Sequence, residues 1–121
     1  LRAAQAATEA GPGGWLYRFD LPSSALGGRL GATHGTDIPY IFNDIPPGKG
    51  VPDGSNPSVR KVAKEWSNTI LAFARNGNPN GAGLPAWPKY SHATRESLVI
   101  DADSRTAHDL DDPHLKIWGD A

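Results

Sequence analysis

Apolar residues recur at helical spacing over residues 57–76. Val59, Val62, Ala63, Trp66, Ile70, Phe73 and Ala74 fall on one face, with Arg60, Lys61, Lys64 and Glu65 mostly opposite. Asn56 offers an N-cap, Pro57 suits the first helical position, and Gly77 ends the run. Asn78-Pro79-Asn80-Gly81 then predicts a turn. Residues 15–20 (WLYRFD) alternate instead: Trp15, Tyr17 and Phe19 face one way, Leu16 and Arg18 the other. This is a strand of period two, closed by Pro22. Residues 97–101 (SLVID) predict a second strand. Residues 1–10 predict a helix ended by Gly11, and residues 113–118 a short terminal helix with Asp112 as its N-cap.

Strands separated by helices point to an α/β class with a parallel sheet. Two strands are too few to close such a sheet, so the pattern predicts one edge of a larger α/β domain. The 121 residues contain 14 Gly and 11 Pro, most of them before residue 55, so that half is largely loop around short ordered pieces.

Charge and composition exclude several classes. Twelve Lys and Arg stand against 13 Asp and Glu, a net charge of −1, which gives no electrostatic reason to bind nucleic acid or an anionic membrane. There is no Cys, hence no disulfide framework, thiolate nucleophile or Cys-based zinc site. No apolar run approaches the ~20 residues that span a bilayer, and residues 1–30 lack the charged-then-apolar pattern of a secretory signal. The absence of Met is expected of a processed chain or a piece of something larger.

Four His are the first candidates for chemistry. His34 sits in Gly31-Ala32-Thr33-His34-Gly35-Thr36-Asp37, a Gly-flanked loop past the end of a strand and before an apolar run. General bases are often held so, on loops hung from a sheet; the same pattern also fits a surface-loop His. His92, His108 and His114 lie among charged and polar residues and are expected to be solvated. No HExxH or other recognisable metal set occurs. Gly48-Lys49-Gly50 lacks the rest of a phosphate loop and fits a flexible surface loop. None of the serines has Gly at both −2 and +2, so no GxSxG elbow exists, and no HGG-type oxyanion motif occurs.

The stretch LYRFDLPSSALGGRLGATHGTDIPYIF resembles the C-terminal part of type B carboxylesterases, the family of para-nitrobenzyl esterases and cholinesterases. The likeness continues through Trp66, Phe73-Ala74-Arg75-Asn76-Gly77-Asn78-Pro79-Asn80 and Leu84-Pro85-Ala86-Trp87-Pro88-Lys89-Tyr90, and resumes at Trp118. It implies an α/β-hydrolase fold of which residues 1–121 are the C-terminal portion, the last sheet strands plus packing helices. It also implies that His34 is the catalytic histidine of a Ser-His-Glu/Asp triad. In this fold the triad runs in chain order Ser, acid, His, so the nucleophile and acid segments would lie upstream. Neither Glu9 nor Asp20 has the family's placement for the acid. Asp37 and Gly35 are expected to support the His34 loop, with capping of a short helix at residues 38–42 as the alternative role of Asp37.

The implied function is carboxylic ester hydrolysis through an acyl-enzyme, with no cofactor and no metal. The implied partners are the N-terminal remainder of the hydrolase and a small-molecule ester substrate, with no nucleic acid and no membrane. A cytoplasmic location, with secretion as the alternative, and inactivity of the isolated chain are expected. The alternative is a portion of a non-catalytic cholinesterase-like binding or adhesion protein, since some relatives keep the fold without the serine.

Overall fold

The computed structural model describes residues 2–48, 52–81 and 83–110. The predicted helix at residues 113–118, Asp112, His114, and Lys49 and Gly50 of the glycine loop lie outside the described residues.

The elements in chain order are helix α1 (Arg2–Glu9), strand β1 (Tyr17–Phe19), a 3₁₀ turn (Ala25–Gly28), helices α2 (Ile38–Ile41) and α3 (Pro57–Asn76), and strands β2 (Glu96–Ile100) and β3 (Arg105–His108). Helix α3 begins and ends where its punctuation dictates. The Asn56 side chain accepts from the Ser58 N–H at 2.9 Å. At the other end Gly77 adopts a left-handed conformation (φ 66°) and donates to the Phe73 carbonyl.

The sheet order is β1-β2-β3. β1 and β2 are parallel, with Tyr17 opposite Leu98 and Phe19 opposite Ile100, as the α/β reading expects. β2 and β3 form an antiparallel hairpin, with Leu98 opposite Thr106. The hairpin turn is closed locally: Ser104 Oγ donates to the Asp101 carbonyl, and Asp101 Oδ1 accepts from the Ala102 N–H. β3 was not expected from the sequence. Its residues, Arg-Thr-Ala-His, show no apolar alternation, because it is an outer strand whose end residues Arg105 and His108 are exposed.

β2 is the central strand, and Ser97 through Ile100 are all buried. Leu98 and Ile100 meet Val62, Ala63 and Trp66 of α3 in one core, joined by Leu21, Tyr40 and Trp87. Thr69 replaces an expected member of the buried helix face, whereas Phe73 is 47% exposed and touches Trp15 edge-on at 5.6 Å between ring centroids. The apolar stripe of α3 therefore outruns the small sheet beneath it.

Trp15, Asn80 and Trp87 make a clamp across the mouth of β1. Trp15 Nε1 donates to the Trp87 carbonyl and Trp87 Nε1 donates to the Leu16 carbonyl, both at 3.0 Å. The Asn80 amide brackets Trp87, accepting from its N–H and donating to its carbonyl.

Trp66 is fully buried and touches both Tyr17 and Trp87. Trp66→Ala is expected to cost about 3–5 kcal/mol through lost burial and the cavity left behind. Its Nε1 has no partner among the described residues, so Trp66→Phe forfeits no hydrogen bond there and should cost much less. Thermal or urea unfolding of both variants checks the ranking.

Candidate active site

His34 is exposed and opens the turn that runs into α2. The turn is braced on either side of it: the Thr36 N–H and the Thr36 hydroxyl both donate to the Thr33 carbonyl, at 3.1 and 2.7 Å. Gly35 has φ +80°, a backbone conformation that side chains rarely adopt, and its carbonyl accepts from the Ile38 N–H. A Cβ there would make only ordinary contact with Ile38 Cδ1, so the need for glycine comes from the backbone and not from crowding.

His34, Gly35 and Thr36 line one side of a recess of about 190 Å³, with Leu21, Ser23, Tyr40 and Pro52 around the rest. Ser23 shares the recess with His34, but its Oγ accepts from the Ala25 N–H at 3.1 Å. Tyr40 anchors the floor: it is buried, its ring lies 5.0 Å from Phe19 of β1, and α2 rests on α3.

Asp37 precedes α2, and its main-chain carbonyl accepts from the Tyr40 and Ile41 N–H groups. It therefore stands at the N-cap of the short helix, the alternative role expected for it, but caps through its main chain and makes no side-chain capping hydrogen bond. The carboxylate instead accepts from the Tyr17 hydroxyl at 3.0 Å. Partial burial and the Asp37 carboxylate push the Tyr17 phenol up to about 12. The protonated phenol is thus favoured in the fold. Its contribution is complete below the ordinary tyrosine range near pH 10 and is lost as pH rises toward about 12.

Sequence reasoning placed Tyr17 on the apolar face of a strand and missed this link. The two residues are 20 apart, and nothing local signals the contact.

The other candidate carboxylates and imidazoles among the described residues lie away from this recess. Asp20 forms a two-point pair with Arg18, each contact at 2.7 Å, and the guanidinium holds its carboxyl below the usual range. Glu9 is exposed at the end of α1. His92 and His108 are exposed as expected, yet not simply solvated: His92 Nδ1 lies 3.0 Å from Gln5 Nε2, and His108 Nδ1 meets the Thr94 carbonyl. Among the described residues no group of three or more His, Cys, Asp or Glu could hold a metal, and no helix is long and apolar enough to cross a membrane.

Comparison with known proteins gives these features a context. The chain is 34% identical over 116 residues to carboxylesterase 1D of Mus musculus, covering 93% of this chain and 20% of that protein. It is 34% identical over 106 residues to phenmedipham hydrolase of Pseudarthrobacter oxydans, covering 84% and 22% respectively. The chain therefore spans about a fifth of the length of these curated relatives. Among solved structures, a carboxylesterase of Geobacillus stearothermophilus superposes with a TM-score of 0.72 at 33% identity, over 87% of this chain and 22% of that one. A PNB esterase superposes with a TM-score of 0.69 at 24% identity, a likeness of fold alone, over 84% and 20%. The small mixed sheet with its packing helices is thus one part of an α/β-hydrolase fold. With a model of the carboxylesterase family matching residues 1–118, the chain belongs to that family.

Proposed function

We propose that these residues are the portion of a carboxylic ester hydrolase that supplies its general base, His34. The observation that carries this reading is the placement of His34. It stands exposed at a recess, on a turn braced by Thr33 and Thr36, within a chain matched along residues 1–118 to the carboxylesterase family.

A serine from the N-terminal remainder of the hydrolase attacks the carbonyl of a small-molecule ester, and His34 takes its proton. His34 then returns that proton to the leaving alkoxide and next activates water to release the acid. A Glu or Asp from the same remainder orients the imidazole, as a negative charge must when imidazolium forms. Gly35 and Asp37 hold the loop. The chemistry needs neither metal nor organic cofactor. In the described residues β1 is an end strand of the sheet, and an end strand is where the remainder would pair.

A reactive phosphate triester tests the division of labour. The complete protein is expected to take up one phosphoryl group on a serine outside these 121 residues, located by mass spectrometry of digests. Label on Ser23, which lies beside His34, would overturn the proposal. A complete protein that takes up no label would favour the non-catalytic binding reading instead.

A further inference from the structure

We propose that the Tyr17 hydroxyl is a positioning group for His34, acting through Asp37; the inference rests on the reading of His34 as the general base. The direction of the phenol is set by the core. Its ring lies 4.6 Å from the Trp66 ring and 6.3 Å, edge-on, from the Trp87 ring. Trp66 is fully buried in α3, and Trp87 is held by Asn80 and by the Leu16 carbonyl. Tyr17 itself stands in β1, in register with the central strand.

From that fixed origin the hydroxyl reaches Asp37 Oδ2 at 3.0 Å. Asp37 starts α2 through its carbonyl, and its neighbour Thr36 ties back twice to Thr33, the residue before His34. The imidazole thus sits on a short turn with one end closed on itself and the other bolted to the sheet. An Asp at this position ordinarily spends its carboxylate on the helix N–H groups. Here it reaches across to a strand, which serves the turn more than the helix.

The energetic argument is one of position. Catalysis by a general base depends on sub-ångström placement, and a misplacement of about 1 Å can cost on the order of 10²-fold. Loss of the hydroxyl leaves the ring packing intact but frees the Asp37 end of the turn. Its effect should therefore fall on the chemical step and spare substrate binding.

The test uses the complete hydrolase and p-nitrophenyl acetate. Tyr17→Phe is expected to lower kcat roughly tenfold with KM within about twofold, and with the thermal midpoint nearly unchanged. Asp37→Ala should match it. The double variant should be no slower than Asp37→Ala alone, because both changes remove one link. Asp37→Asn keeps an acceptor oxygen for the phenol and should rescue most of the rate. A Tyr17→Phe enzyme with wild-type kcat, or effects that multiply in the double variant, would overturn the proposal. His34→Ala measured alongside separates the two levels. If it retains activity, the reading of His34 fails; if it is inactive while Tyr17→Phe is unimpaired, only the positioning role fails.

Discussion

His34→Ala in the complete hydrolase is expected to lower kcat by on the order of 10⁴-fold or more, with a far smaller change in KM. On the proposed mechanism the serine loses its proton acceptor, and the leaving alkoxide loses its proton donor. On that mechanism what survives is the contribution of oxyanion stabilisation and substrate binding. The remaining imidazoles provide the control. His92 and His108 are exposed and hydrogen-bonded to Gln5 and to the Thr94 carbonyl, away from the His34 recess. Their alanine variants should lie close to wild type, as should His114→Ala. Steady-state kinetics on the four variants decides the matter. If a variant other than His34→Ala is the inactive one, the assignment of the base is wrong.

Much of the fold could be read from residue order because its signals are local. Asn56, Pro57 and Gly77 mark both ends of α3, and all three do so in the structure. The alternation from Trp15 to Phe19 marks β1, and the apolar run at Leu98–Ile100 marks β2; their parallel pairing follows from the helix between them. β3 escaped because an outer strand need not alternate. Arg105 and His108 face solvent, and the hairpin is fixed by the Asp101–Ser104 turn and by pairing with β2.

The site divides in the same way. The Gly-flanked loop of His34 was legible, but its residues fitted a surface-loop His as well as a general base, and only the family resemblance singled it out. The devices that hold it were not legible. The Tyr17–Asp37 hydrogen bond joins residues far apart in sequence, and a tyrosine inside an alternating strand carries no mark of a polar task. Asp37 did carry a mark, that of a helix cap, and it does occupy the N-cap, but its carboxylate goes to Tyr17 and not to the helix. A short polar side chain before a helix satisfies a local donor only when no better-placed distant donor competes. The phenol, held by Trp66 and Trp87, is such a competitor. Thr69 is a further case: its hydroxyl is buried without a partner among the described residues, where helical spacing alone would set an apolar side chain.

The second large effect concerns the chain by itself. It carries a candidate base, but no GxSxG elbow and no HGG-type oxyanion motif. Its Asp20 is committed to Arg18, and its Asp37 to Tyr17. A lone imidazole on a protein surface has no oriented nucleophile to serve and no preorganised donors to stabilise the tetrahedral oxyanion, which is usually the largest single contribution. The most direct measurement is therefore p-nitrophenyl acetate hydrolysis by the purified 121-residue chain, beside free imidazole at equal concentration. No rate above that of imidazole, and no initial burst of p-nitrophenol, is predicted. Saturable turnover that survives further purification, and that disappears with Ser23→Ala, would contradict the division of the catalytic groups between this chain and the remainder of the hydrolase.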